Sequence, residues 1–341
     1  MGGASKRHHY VPQAYLRGFA TKEQRIMAVP LDRSRVPFTS AVKNVAVRTH
    51  FHTVEGIEDP DEFETVLSNI ENDAMAVIRK MEMGEFPVSE KDRWGLSFYI
   101  ALQEMRGPDA RRTVEHLQAQ VLRLEVGAGG RNNVKRLIKE KYGFEATDEE
   151  AEHFWNEATK PEGLPIRFSN LAHINHMVRT AIEITPYIAC RPWTLVRFNR
   201  RSLIASDGPI GRIHDPDGDP LQGAGFATAW FISFPLTRKL GLFMSDPMEI
   251  LKHADPDVQE FRAAVLRGEI DVVRSGTTMM ERLFNQHTAY HASEYLYLHP
   301  DDEKFVPGEL HEPILVKVAM EGFFNTEFDG MPWFGRGSAR E

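Results

Sequence analysis

The chain has 341 residues, of which 42% are hydrophobic and 26% charged, and a net charge of −8, the balance of a globular protein rather than a disordered or fibrous one. The single cysteine, Cys190, excludes an internal disulfide and a cysteine-rich zinc site and fits a reducing compartment. No apolar run approaches the ~20 residues that span a bilayer, and no apolar signal core follows the basic start, so the expectation is a cytoplasmic protein with no membrane partner. The charge is uneven: residues 1–50 hold nine Lys/Arg against two Asp/Glu, and the remainder 32 against 47. A basic segment attracts phosphate; the plainer reading is that it faces the acidic remainder of its own chain.

The first stretch with a distinct character is Lys6–Ala20, KRHHYVPQAYLRGFA. Pro12 suits the first turn of a short helix, and Tyr15, Leu16 and Phe19 follow at helical spacing. Two adjacent imidazoles, His8 and His9, are thereby tied to an apolar anchor near a chain end, which makes them candidates for chemistry. Lys6 and Arg7 beside them are candidate anion-binding cations. Arg25–Leu31 then reads as a strand ending in a turn at Asp32–Arg35. The segment from Val45 to Phe51 is expected to pair with it, and His50 and His52 would share one face of that second strand.

Asp59-Pro60 is a helix start, and Phe63, Leu67, Ile70, Ala74, Ile78 and Met81 make one stripe as far as about Met83. Glu71 falls on that stripe. A carboxylate there needs a partner, either Arg106 in a salt bridge or a metal or proton. Ser89, with Asp92 three residues on, starts a strongly apolar helix that stops at Arg106-Gly107-Pro108. The next helix runs from Pro108 to about Glu125, and Val126–Gly130 reads as a linker. Residues 131–142 and 147–158 form two more, the second with a Thr147/Glu150 capping box. Ser169 or Asn170 caps a helix to about Cys190, with Leu171, Ile174, Met177, Val178, Ala181 and Ile182 inward. His173 and His176 on it have a weak metal-compatible spacing.

After Pro192 the pattern becomes that of short strands: Trp193–Phe198, Leu203–Ser206, Phe226–Phe234 and Leu240–Met244, a meander-like and mostly antiparallel sheet. Ser206-Asp207-Gly208-Pro209 ends the second of these, where a carboxylate can be presented or can simply make the turn. Helices are expected after Asp255-Pro256 and Ser275, the latter carrying Asn285. Glu294–Leu298 and Ile314–Met320 read as closing strands, and the chain from Asn325 as a tail. The fold class is α+β: a mainly helical N-terminal two-thirds packed on a small, mostly antiparallel sheet. It reads as one domain, 1–341, with sub-regions 1–58, 59–190, 191–325 and 326–341.

The opening HHYVP…YLR…F signature resembles that of a widespread, uncharacterised family of bacterial proteins. Lys43-Asn44-Val45-Ala46, Glu71, Arg106 before Pro108, Ser206–Pro209, Phe234-Pro235-Leu236-Thr237 and Asn285 also fit its pattern, and the resemblance covers about residues 5–300. The chain departs from it at His52, where the pattern carries Tyr. The family implies a shared site and no assigned reaction.

These residues suggest a metal-dependent hydrolase acting on a phosphate-bearing substrate, of nuclease or nucleotide phosphodiesterase type. His9, Glu71 and Asp207 would carry the chemistry, and His8, His9, Glu71 and Asp207 would hold Zn²⁺, Mn²⁺ or Mg²⁺. Arg106, Asn285, Lys6 and Arg7 would bind the substrate, a nucleotide or nucleic acid. No organic cofactor is called for. One alternative is a non-catalytic ligand- or partner-binding protein in which the same His, Glu, Arg and Asp residues form a structural polar network. Another is an HNH-like nuclease with His9 as base and Asn44, His50 and His52 following. That reading lacks the expected Gly-rich turn and leaves Glu71 and Asp207 without a role.

Overall fold

The computed structural model describes residues 7–60, 62–215, 224–254 and 257–316. The chain divides into two compact units, Met1–Pro108 with Asn170–Ile314, and Asp109–Ser169 with Leu315–Glu341. The architecture is α+β, with about 49% helix and 16% strand. None of the described helices is long and apolar enough to cross a membrane.

In the first unit the N-terminal motif folds as β1 (Arg7–His9), α1 (Gln13–Leu16) and a 3-10 turn (Arg17–Phe19). Pro12 stands just ahead of α1 with φ −57°, where its missing N–H costs nothing. Tyr15, Leu16 and Phe19 are completely buried, as their spacing predicts. Tyr15 stacks on Phe234 with ring centres 5.4 Å apart and donates its hydroxyl to the Pro235 carbonyl at 2.7 Å. Each such side chain contributes ~1.5–3 kcal/mol by leaving water, which holds the short strand before it in place.

β2 (Arg25–Pro30) turns at Asp32, whose carboxylate accepts from the Ser34 N–H at 2.9 Å, into β3 (Phe38–Ala41). The sequence places Val45–Phe51 beside β2. The structure differs: β4 (Val47–Thr49) pairs antiparallel with β1, and β3 takes the β2 edge. Ala46 and His50 flank β4, each with a φ of 52°, so the chain turns at both ends of the strand. His50 and His52 therefore do not share a strand face; His50 is exposed and His52 buried.

α2 (Glu62–Met83) buries Leu67, Ala74, Ile78 and Met81. α3 (Glu90–Met105) is capped by Ser89, which accepts from the Asp92 N–H at 3.1 Å. Arg93 on α3 is wholly buried. It donates to the carbonyls of Ala189 at 3.1 Å and Arg191 at 3.0 Å, pairs with Asp271, and lies 4.1 Å over the Trp193 ring.

α4 (Pro108–Gly129) carries the chain into the second unit and runs straight through the stretch that reads as a linker. Leu122 and Val126, four residues apart, both enter that unit's core with Val134, Ile138 and Trp155, so apolar spacing prevails over the glycines. The helix yields only at Gly130, with φ 75°. α5 (Val134–Tyr142) and α6 (Asp148–Ala158) complete the unit, and Thr147 and Glu150 form the expected capping box.

α7 (Asn170–Ala189), back in the first unit, buries Ile174, Met177, Ala181 and Ile188. Leu171 and Ile182, expected inward, are 49% and 59% exposed, because they flank the buried row rather than continue it. His173 is buried and His176 exposed, so the two point to different environments.

The remaining elements are β5 (Trp193–Arg197), β6 (Ala205–Ser206), β7 (Gly211–Ile213), β8 (Phe231–Thr237), β9 (Leu240–Ser245), α8 (Pro247–Ala254), α9 (Val258–Leu266), β10 (Val272–Ser275), α10 (Thr278–His291) and β11 (Tyr295–Leu298). The single meander expected from the sequence is divided between two sheets, β10-β5-β9-β8-β7 and β3-β2-β11-β6. β5 pairs with β9, whereas β6 pairs with β11, which arrives from the far end of the chain. α8 and α9 return the chain to the sheet edge, so β10 enters parallel to β5. Thr277, not Ser275, caps α10. Lys6, the Asp255-Pro256 helix start, most of the Ile314–Met320 strand and the tail lie outside the described residues.

The Arg93–Asp271 pair has no solvent exposure on either side chain. Asp271→Ala strands the guanidinium and is expected to lower the unfolding free energy by about 3–5 kcal/mol in a urea titration. A loss below about 1 kcal/mol would show that the pair is not what joins α3 to the β10 edge.

Candidate functional site

β1 alternates exposed, buried and half-buried at Arg7, His8 and His9. Pairing with β4 sets His8 across from Arg48 and His9 across from Val47. Beyond β4 the left-handed backbone at His50 swings the chain inward, and Asn170 at the start of α7 fastens that turn by donating to the carbonyls of His50 at 2.9 Å and Thr53 at 2.8 Å. The result places His52 against His8. Their ring planes are 8° apart with centroids separated by 5.8 Å, and Phe51 and Phe63 wall His52 at 4.9 and 5.9 Å.

The His52 amide donates to His8 Nδ1 at 2.8 Å, so that nitrogen carries no proton. His52 Nδ1 contacts Glu64 Oε1, and the same oxygen lies 3.8 Å from His8 Nδ1. Among the described residues, His8, His52 and Glu64 form the one group of three potential metal-ligating side chains whose ligand atoms all lie within 4.8 Å of one another. Both imidazoles are buried, and Glu64 is 27% exposed. Burial alone would raise the Glu64 carboxyl. The hydrogen bond from His52, with the electrostatic effect of His52, Arg106 and His8 beside it, outweighs it and holds the group below the usual carboxylate value.

Next to this cluster, His9 is half-buried, and its Nδ1 lies 3.4 Å from the Gln13 amide nitrogen. Burial, then the Arg106 charge, pushes its pKa down to about 4, against weaker opposing effects of the Lys43 backbone and Glu64. His9 is thus a neutral imidazole at ordinary pH. Arg106, one turn beyond Leu102 at the end of α3, is 4% exposed and donates to Glu71 at 2.5 Å, the salt bridge that the sequence allows. Gln103, on the preceding turn, donates to the Tyr10 carbonyl at 3.1 Å. Arg7 is exposed and donates to Asn44 at 3.3 Å.

His8, His9, Glu71 and Arg106 therefore gather around the N-terminal motif, with Arg7 at its rim, while Asp207 and Asn285 are engaged with backbone. Asp207 accepts from the amides of Ser293 and Glu294 at 2.7 Å and Tyr295 at 3.0 Å, which organises the entry to β11. Asn285 is 1% exposed; it accepts from the Ile204 amide at 3.1 Å and donates to the Ser202 carbonyl at 3.1 Å and Glu281 at 2.7 Å. His50, at the surface, lies 3.3 Å from the Thr53 hydroxyl. Glu64 is the site residue that the sequence reading did not select, and His52 entered it only as a partner of His50 and in the HNH-like alternative. One signal was present: Glu64 and Glu71 are seven apart on α2 and so share a face.

The chain belongs to the DUF4238 family, described as a protein of unknown function, whose family model matches residues 7–302. No curated protein and no solved structure matches it.

A histidine whose pKa falls on folding makes the unfolded state the better proton acceptor. The His9 contribution is therefore fully in place above the unfolded value near 6.5 and is lost as the pH drops toward 4. In chelator-treated protein, the NMR midpoint of His9 is expected near 4, and stability should decline between those two values. A midpoint near 6.5 would mean that the ring is hydrated.

Proposed function

We propose that the protein is a hydrolase acting on a phosphate-bearing substrate, a nucleotide or a nucleic-acid phosphodiester, with its centre at the N-terminal motif. The observation that carries this reading is the imidazole–carboxylate pair of His52 and Glu64, set against Phe51 and Phe63 beside His9 and Arg106. With its Nδ1 against Glu64, the buried His52 ring holds that carboxylate in place, and the partly exposed Glu64 is the group that solvent reaches. Water adds its oxygen to phosphorus, giving up a proton to the second oxygen of the Glu64 carboxylate, and the ester P–O bond breaks with the leaving oxygen taking that proton. His9 stays neutral and orients polar atoms. Arg7, exposed at the rim of the motif, supplies positive charge where an anionic substrate would approach, and the buried Arg106 is shared with Glu71. A divalent ion of the Zn²⁺, Mn²⁺ or Mg²⁺ class would supply Lewis acidity toward water and the phosphoryl oxygen.

One observation favours a second reading, a non-catalytic protein in which these groups brace the fold. His8 and His52 are 1% and 0% exposed, and they already engage each other and Glu64. The two readings separate on incubating the full chain with DNA, RNA, nucleotides and bis(p-nitrophenyl) phosphate in the presence of Zn²⁺, Mn²⁺ or Mg²⁺. For the hydrolase, Glu64→Gln and His52→Asn lower turnover by about 100-fold or more without abolishing the folded state. Absence of turnover on every substrate, together with a large drop in Tm for His52→Asn, is the outcome expected of a brace.

A further inference from the structure

We infer that His8, His52 and Glu64 are the ligands of a bound transition-metal ion of the Zn²⁺ type. The inference gives the centre proposed above its metal ligands, and rests on that reading only for what the ion does, not for whether it binds.

Three donor atoms from three separate stretches of chain converge: a β1 imidazole, an imidazole from the loop after β4, and a carboxylate from the first turn of α2. Ligand bonds of ~2.0–2.1 Å place neighbouring donors in a tetrahedral site about 3.3 Å apart. Glu64 Oε1 is 3.8 Å from His8 Nδ1 and in contact with His52 Nδ1, and the ligand atoms of all three lie within 4.8 Å of one another, so reaching that spacing takes shifts of up to about 1.5 Å in donor separation. In the structure the groups satisfy one another through the His52 amide bond to His8 and the His52–Glu64 contact. An ion must displace those hydrogen bonds, so binding is a competition rather than the filling of a preformed cage.

The surroundings favour a cation. Arg106 is buried and acts on Glu64, and its bond to Glu71 at 2.5 Å offsets its charge. Glu64 is the one carboxylate among the three ligands and brings a negative charge to the site. Arg48 is directed away, engaging Glu294 at 3.4 Å, and Arg7 is exposed. Phe51 and Phe63 exclude water from the His52 side, and the partial exposure of Glu64 leaves one open side for further ligands. Two imidazoles among three ligands select a borderline transition ion over Mg²⁺ or Ca²⁺, which take oxygen. Because the ligands come from β1, the loop and α2, binding would cross-link all three.

The test is titration of the chelator-treated full chain with ZnCl₂ and separately with MgCl₂, followed by metal content, thermal melting and the visible absorption of the Co²⁺ form. The expected result is one Zn²⁺ per chain, a Tm rise of at least about 3 °C, no response to Mg²⁺, and a d–d absorption showing nitrogen ligation. Glu64→Gln, at a partly exposed position, should keep the fold and weaken binding at least tenfold. Failure to bind Zn²⁺, or binding unchanged by Glu64→Gln because other histidines capture the ion, overturns the inference. Binding that follows these rules without hydrolysis of any substrate sustains the metal site and sinks the hydrolase reading instead.

Discussion

The burial of Tyr15, Leu16 and Phe19 against β8 holds the paired histidines in place. β1 is three residues long and pairs only with the three-residue β4, and an isolated two-stranded ribbon of that size is marginal in water. Its position is set instead by the anchor that follows, where the Tyr15 ring meets Phe234 and its hydroxyl reaches the Pro235 carbonyl. The Tyr10 amide donates to Ala46 at 3.0 Å, and Gln103 reaches the Tyr10 carbonyl, so both strand and motif are also tied to β4 and α3. A ribbon too short to be stable alone thereby becomes a fixed support for His8 and His9.

The polar residues around that support divide their work by what faces them. Glu64 and Glu71 share a face of α2, yet the first meets imidazoles and the second a guanidinium. Two carboxylates on one face would repel if both lacked counter-charges. Arg106 removes that cost at Glu71, and the histidine cluster removes it at Glu64. Asp207 and Asn285 do a different job. They satisfy backbone amides where β6, β11 and the strand-to-helix connections meet, at points where an unpaired buried amide would cost about 1–3 kcal/mol. Restricted polar residue types therefore arise here from structural need as well as from chemistry, and sequence alone weighs the two alike.

What was legible in the sequence was what local spacing determines. The anchor at Tyr15–Phe19, the Ser89 and Thr147 caps, the apolar stripe of α2 and the Glu71–Arg106 pair all follow from residues three, four or seven apart, or from a buried charge seeking a partner. The expectations that failed depended on backbone conformation or on long-range pairing. Ala46 and His50 adopt left-handed φ without being glycine, so nothing in residue type announced the turns that carry His52 away from His50 and toward His8. β6 takes β11 as its neighbour across some ninety residues, a choice no local pattern encodes. The Val126–Gly130 stretch misled in the other direction. Its glycines suggested a break, but the burial of Val126 beside Leu122 stabilises the helix by more than the glycines cost.

The three-residue cluster has one property that follows from its construction rather than from any ligand. His8, His52 and Glu64 are close enough to bond one another, so the fold gains from them even when nothing else is present. Any ion or substrate group that uses them must first replace hydrogen bonds worth a net ~1 kcal/mol each, more where the carboxylate is charged. Affinity is then the difference between two satisfied states, and it is tuned by small changes in how firmly Asn170 pins the loop and how firmly the Tyr15 anchor pins β1. Residues that touch neither ligand nor cluster thus set the strength of the site, because they decide how far the three donors can move apart to admit a guest.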